Sequence, residues 1–208
     1  YVAVQSSRSS TASLIDLKRT TSIDVSNLSF DSTGQPDFDG TNDYIAITDA
    51  SKFYTSTWTW EMVVKFDNNS GSHQGLVWGE GTSSSGSGTQ YLITLYNYQY
   101  FHYRIQNSTT GWGNVNVNIN FTPTDYNHVV WQFNGGTTKI YINGELLNTE
   151  STRGSYNGLT TQPLYIGVRN DLAYDFNGKM PVLKFYDSFL TAAEIKQNFD
   201  SYKNRFNI

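Results

Sequence analysis

The chain has no cysteine, which excludes disulfides, thiolate metal sites and a cysteine nucleophile together. Extracellular eukaryotic domains often carry a disulfide, so this absence leans toward a chain folded in a bacterial cytosol. Charge is scarce as well. Asp, Glu, Lys and Arg make up 15% of the 208 residues, and the net charge is −4. No basic cluster occurs, which argues against nucleic acid as a partner. No apolar run reaches the ~18 residues of a membrane span, so membrane insertion is not expected. Only four prolines and no long Gln or Lys tract argue against extended disorder.

What remains is a strand-and-turn vocabulary of Ser, Thr, Asn and Gly around 15 Tyr and 12 Phe, enough to bury a sizeable core. Strand signals recur at short spacing. "WTWEMVVKF" (58–66) alternates Trp58, Trp60, Met62 and Val64 against Thr59, Glu61, Val63 and Lys65, a half-buried pattern in which Glu61 reads as a solvated carboxylate. "GNVNVNINF" (113–121) sets Val115, Val117, Ile119 and Phe121 on one face, and Asn114, Asn116, Asn118 and Asn120 on the other. Such a strand has one side on a core and one in water. Asn143-Gly144 predicts a type I′ hairpin turn, since both central residues need positive φ. Near the end, Thr191 and Glu194 form a capping box for one helix, with Leu190 and Ile195 as its hydrophobic staple.

No internal repeat or second composition regime is present, so one all-β domain is expected over 26–208, a sandwich with a single late helix. The chain opens on Tyr1 without a signal peptide, and the Ser/Thr-rich residues 1–25 read as an arm or linker from a preceding segment.

The densest aromatic stretch is "YLITLYNYQYFHYRI" (91–105). Read as a hairpin turning at Asn97-Tyr98-Gln99, it puts Tyr91, Ile93 and Leu95 on one face of its first strand. On the second strand Phe101, Tyr103 and Ile105 share a face, and these two sets are expected in the core. Tyr96, Tyr100, His102 and Arg104 on the opposite face, with Tyr98 at the turn, are left as a candidate ligand patch. Trp112, Asn114, Asn116 and Asn118 add amides and a ring of the kind that meets sugar hydroxyls.

Several segments resemble a known family. "FDGTNDYIAI" followed by "WTWEMVVKF", then "HVVWQFNGGTTKIYINGELL", then "LYIGVRNDLAYDFNGKMPVLKFYDSFLTAAEIKQNFDSYKNRF" are similar to laminin-G-like domains of the concanavalin A-like lectin/glucanase superfamily, pentraxins included. The closing "LTAAEIKQNFDSYKNRFNI" looks most like versions in bacteriophage virion and bacterial surface proteins. The resemblance implies a concanavalin A-like jelly-roll sandwich of two antiparallel sheets with one short C-terminal helix. It also implies a Ca²⁺ site at the sandwich rim, for which "RNDLAYD" offers Asn170, Asp171 and Asp175; no other cofactor is called for.

The superfamily includes glycosidases, but its glucanase motif of alternating acids is absent here. Retaining hydrolysis needs two carboxyl groups ~5 Å apart. Glu145 and Glu150 differ by five positions and fall on opposite faces of a regular strand. His73, His102 and His128 have no nucleophile partner at a recognisable spacing. The expectation is therefore a non-catalytic binding or adhesion module on a larger assembly, on a virion surface, with a bacterial cell surface or secretion as alternatives. Its partners would be host glycans or other virion or surface-protein subunits, including further copies of itself. The rival readings are a purely structural decoration or fibre domain and a divergent glycoside hydrolase.

Overall fold

The computed structural model describes residues 23–67, 73–79, 91–107, 111–151 and 163–208, with 106, 107 and 111–114 described by backbone alone. In chain order the strands are β1 (Ile23–Asp24), β2 (Ser29–Phe30), β3 (Pro36–Asp39), β4 (Ile45–Ile47), β5 (Trp58–Phe66), β6 (His73–Gly79) and β7 (Tyr91–Tyr96). There follow β8 (Tyr100–Asn107), β9 (Gly111–Asn118), β10 (Asn127–Phe133), β11 (Thr137–Ile142), β12 (Glu145–Ser151), β13 (Leu164–Ile166), β14 (Asn177–Tyr186) and the helix α1 (Ala192–Phe206). They make two antiparallel sheets of seven strands. Sheet A runs β1-β4-β13-β6-β7-β8-β9, and sheet B runs β12-β11-β10-β5-β14-β3-β2. This is the all-β jelly-roll sandwich with one late helix.

The core follows from the period-two alternation. Trp58, Trp60, Met62, Val64 and Phe66 of β5 and Val129, Trp131 and Phe133 of β10 point between the sheets, all at most 1% exposed. From sheet A, Tyr91, Ile93, Leu95, Phe101, Tyr103 and Ile105 meet them. The contact is aromatic: Trp58 lies 4.5 Å from Trp131 edge-on and 4.9 Å from Tyr91, centroid to centroid. Sheet A reaches back to Ile23 and Asp24, which pair with Ile47 and Ala46, and Val25 is buried in the core. Residues 1–22 of the expected arm lie outside the described residues.

Helix α1 lies on the outer face of sheet B. The Thr191–Glu194 capping box forms as expected, and Asn207 ends the helix in the left-handed region at φ 55°. Leu190 and Ile195 are buried with Val130 and Tyr141, a small second core outside the sandwich. The Asn143-Gly144 turn, with φ 51° and 81°, sits under the helix. A Cβ on Gly144 would press on the Phe199 ring at 3.0 Å at a positive φ, so glycine suits this approach.

Glu61 is corrected by this packing. Its strand parity is as read, opposite to the tryptophans, but α1 closes that face and Glu61 is fully buried. Its carboxylate accepts from His128 Nε2 at 3.0 Å, the Tyr186 hydroxyl at 2.6 Å and Asn198 Nδ2 at 3.0 Å, with Lys184 Nζ at 4.0 Å. It is a polar anchor between sheet and helix, not a solvated side chain. Among the described residues no helix is long and apolar enough to cross a membrane.

Candidate functional site

Sheet B has its outer face occupied by α1. On sheet A the strand register brings side chains from four strands into rows on the outer face. His73, Tyr96, Tyr100 and Asn118 stand opposite one another across β6, β7, β8 and β9. The next row is Gly75, Thr94, His102 and Asn116, and the next is Trp78, Leu92, Arg104 and Asn114. Tyr96, Tyr100, His102, Arg104, Asn116 and Asn118 thus lie on one face. The side chains of Trp112 and Asn114 fall outside the described ones.

Tyr98 does not join them. Asn97 and Tyr98 occupy the turn with φ 49° and 55°, and this swings the Tyr98 ring over the end of the core. It meets Phe66 edge-on at 5.9 Å, and its hydroxyl accepts from Gln74 Nε2 at 3.2 Å. Gln74 in turn accepts from the Asn177 amide at 2.9 Å, tying the hairpin to β14. Tyr98 is therefore a packing residue. Tyr98→Ala is expected to cost about 2–4 kcal/mol of stability, whereas Tyr100→Ala on the open face costs under ~1 kcal/mol; paired thermal melts check both.

Two residues absent from the sequence reading of the patch complete it. His73 comes from β6, and Tyr174 from the 167–176 connection, whose Tyr174 carbonyl accepts from the Gly75 amide at 2.7 Å. Ring centroids then follow in series: Arg169 over Tyr174 at 4.2 Å, Tyr174 to His73 at 4.6 Å, His73 to Tyr96 at 4.2 Å and Tyr96 to Tyr100 at 5.0 Å. Leu172 and Tyr174 both hold positive φ, 58° and 61°, a local backbone cost that the stacking and the Gly75 bond offset.

The two imidazoles have defined roles. Thr94 Oγ1 donates to the His102 carbonyl at 3.4 Å, so it accepts from His73 Nδ1–H at 3.1 Å. His102 Nδ1 donates to Asn116 Oδ1 at 2.7 Å. Each Nε2 is then an acceptor. Burial, followed by the charges of His102 and Arg169, pulls His73 down to about 4. Burial and the Arg104 charge lower His102, against the pull of its Asn116 bond. The patch is accordingly neutral at its imidazoles near pH 7. Below an unfolded value of about 6.5 the unfolded chain takes the His73 proton first, so this contribution to stability is whole above that pH and is lost as pH falls toward the folded value. The expected result is a melting temperature that declines from pH 6.5 to 4 in wild type and less steeply in His73→Phe.

The metal candidates do not assemble. Both oxygens of Asp171 are taken by the Arg169 guanidinium, whose hydrogen bonds hold the Asp171 carboxyl below its usual range. Burial raises Asp175, whose Oδ1 is buried without a partner. Among the described residues no group of three or more His, Asp or Glu is placed to hold an ion. Asn170 and Asp171 follow the tight 169–173 turn, in which the Leu172 amide donates to the Arg169 carbonyl at 2.9 Å.

The acids do not form a hydrolytic pair either. Glu61 is fully buried. A bulge in β12 opposite Ile140/Tyr141 breaks the regular parity between Glu145 and Glu150, but five strand residues still separate them by ~15 Å, far beyond a retaining pair. What the outer face of sheet A offers is hydrogen bonding from imidazole, tyrosine hydroxyl and asparagine amide groups, with the Arg104 cation in the next row. His73 has rings against both of its sides, so the patch presents edges, hydroxyls and amides more than bare ring faces.

Solved structures with the same fold include the binding domain of Paraclostridial Mosquitocidal Protein 1, at TM-score 0.68 and 15% identity over 91% of this chain and 49% of that one. The botulinum neurotoxin serotype D binding domain matches at 0.69 and 12%, over 87% and 46%. The botulinum neurotoxin type G receptor binding domain matches at 0.62 and 12%, over 87% and 46%. The chain spans about half the length of each, and at these identities the likeness is one of fold. No curated protein matches the chain in sequence. Residues 39–196 match a family model described as the concanavalin A-like lectin/glucanases superfamily.

Proposed function

The chain belongs to the concanavalin A-like lectin/glucanases superfamily, and from that premise we propose that it is a non-catalytic binding module whose recognition surface is the outer face of sheet A. The observation that carries this reading is the cross-strand array of His73, Tyr96, Tyr100, His102, Asn116 and Asn118. Polar and aromatic groups from four strands stand together there, with His73 Nδ1 bonded to Thr94 and His102 Nδ1 to Asn116. The absence of a paired-acid arrangement among the described residues supports a binding role over hydrolysis.

The ligand class is a neutral glycan. Amide donors at Asn116 and Asn118, imidazole acceptors and tyrosine hydroxyls complement sugar hydroxyls, and no described carboxylate joins the array. The proposed setting is display on a larger assembly, a virion surface, supported by the likeness of the closing helix segment to virion and bacterial surface proteins. A glycan array probed with the chain in its native oligomeric state tests the reading, because weak sites need avidity. Binding that falls at least ~10-fold in Tyr100→Ala/Asn116→Ala, about the worth of one or two hydrogen bonds, is the expected outcome. Glycan binding indifferent to these substitutions, or none at all, would favour a structural domain with protein contacts only.

A further inference from the structure

Two imidazoles stand as a pair near the middle of the outer face of sheet A. His73 and His102 lie one row apart with β7 between them, and Gly75, the β6 residue in the row of His102, puts no side chain in the way. Their rings meet edge to face, 5.4 Å between centroids. One threonine serves both: Thr94 Oγ1 accepts from His73 Nδ1 and donates to the His102 carbonyl. With His102 Nδ1 engaged by Asn116 Oδ1, each Nε2 is left as a lone-pair acceptor. Both side chains are half-buried, and neither Nε2 is sealed from solvent.

The groups around the pair are neutral or cationic. His73 is held between the Tyr96 ring of β7 and the Tyr174 ring of the 167–176 connection, with Arg169 stacked on Tyr174. His102 has Arg104 two residues along its own strand, Asn116 on β9 and His73 on β6. Asp171 is held on the Arg169 guanidinium. The charges that bear on the two rings are therefore each other's and those of Arg169 and Arg104, all of one sign. Burial and these like charges hold both imidazoles below their ordinary value, His73 down to about 4.

A proton added to either ring turns its Nε2 from acceptor to donor and sets a second positive charge beside the other ring. The faces of Tyr96 and Tyr174 can hold an imidazolium, so the stack keeps its shape while its chemistry inverts. We propose that the His73–His102 pair gates recognition by pH, so that a hydroxyl-bearing partner held at neutral pH is released on acidification. This rests on the glycan reading of the same face. The sign follows from linkage. A hydroxyl that donates to Nε2 favours the neutral ring, so the bound imidazole protonates at lower pH than the free one. Affinity is then whole above the free value and falls as pH drops through it, by up to ~10-fold per pH unit for each ring engaged.

The test is the glycan array read with the whole chain at about pH 7 and about pH 4.5, with the fold checked at both by circular dichroism. Wild-type binding is expected to be at least ~10-fold weaker at the lower pH. In His73→Gln/His102→Gln the side-chain carbonyls accept at either pH, so the ratio between the two pH values should shrink to within ~2-fold, whatever the strength of binding at pH 7. A glycan bound equally at both pH values would overturn the gate and leave the glycan reading standing, whereas an array blank at pH 7 would overturn both. A double variant with the wild-type ratio would show that other groups carry the pH dependence. Should that variant not bind, NMR titration of the wild-type imidazoles with and without the array-selected glycan decides. Both must protonate at lower pH when the glycan is bound, and values unchanged or raised would refute the gate.

Discussion

Gly178→Ala is expected to be the most damaging single-methyl addition among the described glycines. Gly178 has φ +148°, and a Cβ there would sit 2.0 Å from the Lys65 carbonyl oxygen and 2.9 Å from Phe66 Cα. Both obstacles are backbone of β5, paired with β14 in the interior of sheet B. No side-chain rotation relieves them. Relief would need β5 and β14 to part, at the cost of their ladder and the aromatic core beneath Phe66, which meets Phe176 at 5.2 Å. A loss of more than about 4 kcal/mol is expected, in the exceptional class for a point change. At this chain length that is a fall in Tm of about 8 °C or more. Gly136→Ala is the control, since a Cβ there meets nothing within 4 Å; it should melt within a degree or two of wild type. Equal melting of the two variants would mean that β14 does not pass so close to β5.

The second large effect is at Glu61. Its carboxylate joins β5, β10, β14 and α1 through His128, Tyr186 and Asn198. Removing one member of a buried charged network leaves the others desolvated and unpaired, a cost of about 3–5 kcal/mol. Glu61→Ala is expected to lose that much, and to loosen α1 first, seen as faster amide exchange across 192–206. Burial alone would raise the Glu61 carboxyl. The hydrogen bonds of His128 and Tyr186 and the Lys184 charge outweigh it and hold the carboxyl below its ordinary 4.5. A folded value below the unfolded one means the contribution is whole above pH 4.5 and is lost as pH falls through the folded value. The Tm gap between wild type and Glu61→Gln should therefore be widest above pH 4.5 and close below it. A gap constant with pH would show that the carboxylate charge does not hold the helix.

Glu61 also shows what a sequence can and cannot say. Alternation put it correctly on the face opposite Trp58 and Trp60, but nothing in β5 tells that a helix 130 residues on will cover that face. The local devices were legible because their physics is local: the Asn143-Gly144 turn, the Thr191–Glu194 box, the Asn/Val alternation of β9. Tyr98 was misread because strand parity stops at a turn, where positive φ at Asn97 and Tyr98 redirects the ring inward. His73 was missed for a related reason, since a register shift between Gly75 and Val77 breaks the alternation of β6. Tyr174 reaches the patch from a loop, through its carbonyl's bond to Gly75 and its ring contact with His73. Asp171 was offered to a cation while its guanidinium partner Arg169 stood two residues away, a pairing the sequence did display.

Recognition on the outer face of β6–β9 can be read directly, residue by residue. Its most direct test is an NMR titration of the ¹⁵N-labelled chain with a glycan selected on the array. Saturable shifts concentrated at His73, Tyr96, Tyr100, His102 and Asn116 are expected, with α1 silent. Shifts confined to other loops, or to the face beneath α1, would contradict it.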